Sequence, residues 1–271
     1  MTSRREVSVN YVILALFSVV ALWPVVTILI SAFGPAGAGG GGGVVGLHPE
    51  NFATAWTDGH FTQYMRNSVV VSTLVVTLSV TCSVLAGYAF GTMTFRGSGA
   101  LFYLFLLGIM VPTEAIVVPL FFDLRQLGLT DTIWAVAMPQ VAQSIAFGTY
   151  WMRTYFRSSN RSIAEAARID GAGNGQILWL VQVPIARPAI VTLVVLVFMW
   201  TWNEFLIPLV MSPSGQLRTA PLGLAFFQGQ YSTNTALMGA AAVLVALPVV
   251  LVYLVLQRHF IRGMVDGAVK D

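Results

Sequence analysis

Very little of this sequence is charged: Asp, Glu, Lys and Arg together make up 9% of its 271 residues, against 56% hydrophobic residues. With a mean hydropathy of +0.78, that scarcity excludes an ordinary soluble globular domain. Lysine occurs once, at Lys270, followed by Asp271. A phosphate-binding loop of the form G-x-x-x-x-G-K-[ST] therefore cannot be written anywhere in the chain. Cysteine also occurs once, at Cys82, which excludes an internal disulfide and a thiolate metal cluster. The three histidines, His48, His60 and His259, are scattered over loops and tail without convergent partners, so no catalytic or metal-binding constellation is expected.

What the chain does have is long apolar runs. Six stretches, near 10–33, 67–92, 99–122, 132–152, 188–211 and 235–257, suffice to cross about 30 Å of hydrocarbon at about 1.5 Å per residue. They are apolar on all sides, whereas a membrane β-barrel would need alternating segments of roughly ten residues. The expected fold class is all-α, a polytopic membrane protein of six transmembrane helices forming one domain over residues 1–271. The first run follows Arg4 and Arg5 but is too long for a signal-peptide core, and is read as a retained helix. The stretch 34–46, GPAGAGGGGGVVG, cannot bury apolar area against its chain entropy and is expected to be a flexible outer loop.

Basic residues set the orientation. With the N-terminus in the cytoplasm, Arg4, Arg5, Arg96, Arg153, Arg157, Arg161, Arg168, Arg187, Arg258, Arg262 and Lys270 all lie inside, leaving Arg66, Arg125 and Arg218 outside. The positive-inside rule then places both termini and the 153–187 loop in the cytoplasm. Basic charge spread over such loops reports topology and gives no support to nucleic-acid binding.

The 153–187 loop contains the most informative segment, SIAEAARIDGAGNGQILWLVQVPIARP at 162–188. Ser162 and Glu165 have the S-x-x-E spacing of a capping box, Gly171 suits the left-handed stop of a helix, and residues 174–183 can turn again before Pro184 and Pro188. A compact helix-turn-helix knob is expected. Two carboxylates lie within apolar runs: Glu114, about 22 Å along the third span, and Glu204, about 24 Å along the fifth at ~1.5 Å per residue. Pro112 and Pro119 flank Glu114 and suggest a broken helix. Trp200, Asn203 and Glu204 stand at i, i+3 and i+4 and so share one helix face, an aromatic plane beside hydrogen-bonding groups. A buried charge in a membrane tends to face a cavity or a partner, although either carboxylate can equally serve helix packing, and a Trp near a membrane end is ordinary. Gln140, Gln143 and Ser144 read as interhelical glue or pathway lining.

Glu165-Ala166-Ala167, then Gly171 and Pro184, resembles the EAA loop of ATP-binding-cassette importer permeases, with Val181 and Val183 where that pattern has an Ile and a Leu. The likeness continues through NFATAW at 51–56, RNS at 66–68, AGYAF at 86–90, VPTEAIVVPL at 111–120, WNEF at 202–205 and QRHFIRGMVDGAVKD at 257–271. Together these are similar to the maltose-type branch, whose members carry sugars, oligosaccharides and polyols. The resemblance implies a permease subunit in a prokaryotic cell membrane, not an enzyme. Its implied partners are a second, different permease chain, two ATPase subunits that hold ATP and Mg, and an extracytoplasmic solute-binding protein. Glu165, Ala166, Ala167, Asp170, Gly171 and Pro184 are the implied ATPase-coupling residues, and Glu114, Trp200, Asn203 and Glu204 are candidates for lining the pathway. The loop at 212–234 is expected to touch the binding protein and the tail at 258–270 the ATPase pair. A polyol phosphate is the alternative cargo. An ion-gradient carrier would use Glu114 and Glu204 for coupling but would leave the EAA-like loop unexplained.

Overall fold

A computed structural model describes residues 4–35, 46–228 and 234–268. Most of the glycine-rich stretch, and with it the expectation of a flexible outer loop, lies outside the described residues. Tyr231 and Lys270 lie outside them too. In chain order the helices are α1 (Arg4–Ala32), α2 (Glu50–Asp58), α3 (Phe61–Thr92), α4 (Ser98–Met110), α5 (Thr113–Gln126), α6 (Ile133–Ser158) and α7 (Arg161–Ile169). Next come α8 (Asn174–Gln176), a π-helical turn (Ile177–Gln182), α9 (Val183–Ile185), α10 (Arg187–Asn203), α11 (Leu206–Met211), α12 (Ala220–Gly223), a 3₁₀ turn (Leu224–Phe227) and α13 (Thr235–Ala268). No strand occurs among the described residues, so the all-α expectation holds.

Among the described residues, three helices are long and apolar enough to span a membrane: Glu6–Ala32, Phe61–Thr92 and Thr235–Gln257. Two bent pairs, Ser98–Met110 with Thr113–Gln126 at 96° and Asn174–Ile185 with Arg187–Asn203 at 78°, raise the number to five if each pair is one span. The α6 helix has 26 residues, length enough to cross, but carries Gln140, Gln143, Arg153 and Arg157. Two expected spans are not straight. The run 99–122 breaks at Val111–Pro112, where Val111 is extended at φ −79°, ψ 115°, the conformation a following proline favours. The run 188–211 breaks after Asn203, where Glu204 turns extended at φ −66°, ψ 123°.

Two compact units divide the chain: Met1–Gln63 with Leu222–Pro248, and Tyr64–Pro221 with Val249–Asp271. In the first, Asn51 is 4% exposed, and its amide donates to Ala32 O at 2.9 Å and Gly34 O at 2.8 Å. That gives the NFATAW segment its purpose, because the end of α1 leaves carbonyls without helical partners. Ser31 Oγ donates to Thr235 O at 2.8 Å, tying α1 to the start of α13.

The second unit packs around α3 and α6. Ser79, Ser83, Gly87 and Gly91 recur every four residues along one face of α3, a small-residue stripe that lets helix backbones approach closely in a membrane. A Cβ placed on Gly87 would stand 2.5 Å from Met152 Cβ, and one on Gly148 would stand 2.2 Å from Ser83 Oγ. Tyr88 and Phe156 close this seam edge to face, with ring centroids 5.6 Å apart. The RNS motif holds a loop: Asn67 Nδ2 donates to Gln216 O and Arg218 O, and Ser68 Oγ accepts from Ala220 N.

A second clasp joins the loop before α6 to the loop after α11. Asp131, at φ 58°, donates its N–H to Met211 O at 3.0 Å. Its Oδ1 accepts from Ser212 Oγ at 3.2 Å, Ser214 N at 3.0 Å and Ser214 Oγ at 2.5 Å. The Ser214 hydroxyl, with smaller help from the Ser214 amide and the Ser212 hydroxyl, holds this carboxyl below the ordinary aspartate value.

Candidate functional site

The two helix breaks of the second unit open onto one cavity of about 770 Å³. Glu114, Trp200, Asn203 and Glu204 all line it, as do Gln140, Gln143 and Ser144. Both spans break, so distance along a straight helix does not place the two carboxylates; they meet because the residues at the two breaks line one cavity. Glu114 lies in the first turn of α5, where the helix dipole favours an acid. Glu204 Oε1 accepts from Leu206 N at 2.9 Å and Ile207 N at 3.0 Å, so this carboxylate caps α11. Its role as helix support and its place on the cavity wall therefore coexist.

Aromatic and amide groups complete the wall. Phe147 meets Trp200 edge to face at 4.9 Å between centroids and stacks on Trp151 at 6.2 Å. Gln143 Nε2 donates to Thr113 Oγ1 at 2.5 Å, joining α6 to the start of α5. Gln140 is 5% exposed; its Nε2 donates to Val136 O at 2.8 Å, and its Oε1 is buried with no partner. Planar rings beside amide and carboxylate oxygens suit the apolar faces and hydroxyls of a polar, uncharged ligand. Phe147 and Thr113 were not anticipated, because neither differs in sequence from ordinary residues of an apolar run.

The knob at 161–186 forms as a helix-turn-helix, with a different start from the one expected. Asn160 is the N-cap of α7 and accepts from Ser162 N at 3.0 Å and Ser162 Oγ at 2.8 Å. The Ser162–Glu165 capping box does not form, because Asn160 already supplies the acceptor one residue before the helix begins. The stop is as expected: Gly171 sits at φ 86°, with Gly171 N donating to Arg168 O at 3.0 Å and Ala172 N to Ala167 O at 2.9 Å. This double bond pattern is the Schellman motif, closed by a glycine that alone enters that region freely. Ala164, Ala167 and Ala172 pack inward on the core, whereas Glu165, Ala166, Ile169, Asp170 and Gly171 face out.

Ile169 is 87% exposed and Leu180 72%, and a Cβ on Gly171 would meet nothing of this chain within 4 Å. A hollow of about 250 Å³ lies between Asp170–Ala172 and Gln176, Leu180 and Val181. Pro184 sits in α9 directly after the π-helical turn. A proline lacks the N–H that an α-helix would aim back four residues, and a π turn accommodates that irregularity. The six candidate coupling residues thus occupy one knob, with Ala167 turned to its inner side.

Residues 79–266 match the family of binding-protein-dependent transport system inner membrane components. Among curated relatives, the probable ABC transporter permease protein YurM of Bacillus subtilis is 34% identical, covering 82% of this chain and 74% of its own. The arabinooligosaccharides transport system permease protein AraQ of Halalkalibacterium halodurans is 30% identical over 94% of each chain. Among solved structures, a chain from a bacterial ABC transporter involved in the import of the acidic polysaccharide alginate superposes with a TM-score of 0.79. It is 27% identical and covers 96% of this chain and 99% of that one.

Proposed function

The chain belongs to the family of binding-protein-dependent transport system inner membrane components, and on that premise we propose that it is a permease subunit of an ATP-binding-cassette importer for a sugar or oligosaccharide. It works beside a second, different permease chain. Two ATPase subunits hold ATP and Mg, and an extracytoplasmic binding protein delivers the cargo. Both termini and the knob face the cytoplasm, as the basic residues require.

The observation that carries this reading is the outward face of the knob. Ile169, 87% exposed, is an apolar side chain on α7, which the positive-inside rule puts in water, and beside the open turn at Gly171 it gives a docking partner an apolar surface to cover. Glu165, Ala166 and Asp170 frame it, and closure of the docked ATPases would move α7 as a rigid body together with the helices attached to it. The cavity at Glu114 and Glu204 is this chain's share of the translocation route.

The test is co-reconstitution of the chain with the partner permease, ATPases and binding protein in vesicles. Labelled sugar should accumulate only with ATP and should not respond to collapse of the proton and sodium gradients. Uptake that disappears with the gradient while ATP remains plentiful overturns the assignment.

A further inference from the structure

We propose that the 770 Å³ cavity is an anion-rejecting passage, so that this chain's share of the route admits neutral or amino-bearing saccharides and turns away uronates and sugar or polyol phosphates. The proposal rests on the importer reading only for the statement that cargo passes through the cavity. Its electrostatic content stands on the wall itself, where two carboxylates, Glu114 and Glu204, are present and no Arg, Lys or His is found among the lining residues.

The helix starts at the cavity do not reverse that sign. The N-termini of α5 and α11 each present at most roughly half a positive charge. Two carboxylates outweigh two half-charges, leaving the wall net negative. Only Oε1 of Glu204 is engaged, by the two backbone amides of α11, and Glu114 has no hydrogen-bond or ionic partner among the described residues. The cavity is open to solvent, with Glu114 and Trp200 exposed, so salt weakens this field; it is strongest against the low-dielectric faces of Phe147 and Met199 and is read best at low ionic strength.

A second observation points to a ligand. Gln140, 95% removed from solvent by its 5% exposure, lines the same cavity with an unpartnered Oε1. That oxygen is itself closed off from solvent, so a ligand reaches it only when the side chain turns into the cavity; a hydroxyl or ammonium donor would then satisfy it where a carboxylate or phosphate oxygen would repel it. Carboxylates and amide oxygens are acceptors; the wall therefore suits a donor-rich, non-anionic saccharide. This separates the chain from a polyol-phosphate cargo, and from the acidic polysaccharide handled by the alginate transporter.

The experiment reads the sign of the potential directly. In the assembled complex, Cys82→Ser removes the one native thiol, and Asn203→Cys places a new one on the cavity wall. Its thiolate displaces sulfinate from a methanethiosulfonate reagent to form a mixed disulfide, and the rate is measured with trimethylammonioethyl and with sulfonatoethyl reagents. The cation-to-anion rate ratio, relative to that of a free small thiol, should be raised about ten-fold, and Glu114→Gln with Glu204→Gln should bring it down to the free-thiol value or below, because the two helix starts remain. Thr113→Cys reports the same wall if Asn203→Cys does not assemble. A ratio equal to that of the free thiol, or one that survives removal of both carboxylates, overturns the proposal. Neither result depends on ATP-driven uptake, so failure here leaves the importer reading intact, and loss of ATP dependence would leave the charge ratio to be judged by itself.

Discussion

Ala172 N–H donates to Ala167 O at 2.9 Å, and this bond ends α7 by turning the chain through Gly171 at φ 86°. Ala167 and Ala172 both rest on the core, so the turn fixes how the outward residues on either side are presented.

Gly171→Val should strain that turn by about 1–2 kcal/mol, the usual penalty for a side chain in the left-handed region. It would also place a branched side chain on a surface where this chain leaves open space. The complex should still insert, while ATP hydrolysis becomes uncoupled from uptake. Gly171→Asn, which tolerates the conformation, should retain more transport than Gly171→Val. Normal stimulated hydrolysis and uptake in Gly171→Val would sink the docking role.

Gly148→Leu should damage the seam between α3 and α6, because even a Cβ at this position would stand 2.2 Å from Ser83 Oγ. Over-packing of this kind costs about 1–3 kcal/mol. Lower melting temperature and poor assembly are expected by thermal-shift assay in detergent. Stability equal to the parent would mean that the helices do not approach as described.

At Glu204, two substitutions separate capping from charge. Glu204→Ala removes the acceptor for Leu206 N and Ile207 N and should cost about 0.5–2 kcal/mol. Glu204→Gln keeps an oxygen there, so stability should stay near the parent and ATP-driven uptake should fall only modestly, with no new dependence on an ion gradient. Complete loss of accumulation in Glu204→Gln would favour a gradient-coupled carrier.

Asp131 gives a pH prediction. Its folded pKa lies below the ordinary value of 3.8, so its contribution is fully present above that value and is lost as pH falls through the lower folded one. Asp131→Asn should lower the melting temperature slightly, by the same amount at pH 7 and pH 5. A gap that already closes at pH 5 would show that Asp131 does not act through its charged form.

The loop at 212–234 is expected to touch the binding protein. A photo-crosslinker at Gln228 should capture that protein in an ATP-trapped complex; repeated failure under trapping that demonstrably holds the complex would count against the contact.

Much of this architecture is legible in sequence because it is written in hydropathy and in a few turn residues. The spans of α1, α3 and α13 follow from uninterrupted apolar runs, and the Gly171 stop follows from the one residue type that enters its conformation freely. Hydropathy is blind to direction, however, so 99–122 reads as one rod although Pro112 and Pro119 hint at its break. Asn160 does not stand out in sequence as the cap of α7, because Ser162 and Glu165 offer a more familiar pattern two residues later. Glu114, Trp200, Asn203 and Glu204 were recognisable as misfits in apolar runs, while Phe147, an ordinary residue for its place, became visible only when α6 was packed against α10.

The 96° break between Met110 and Thr113 also bears on leakage. A helix end frees several backbone carbonyls and a helix start several amides, and hydrocarbon offers them nothing. Those groups require water at this level even when no cargo is present. A hydrated notch cannot itself be the barrier to protons and ions, so the membrane must be sealed at another layer. The dry packing that such a layer needs is of the kind seen inside this chain where Tyr88 meets Phe156, both buried.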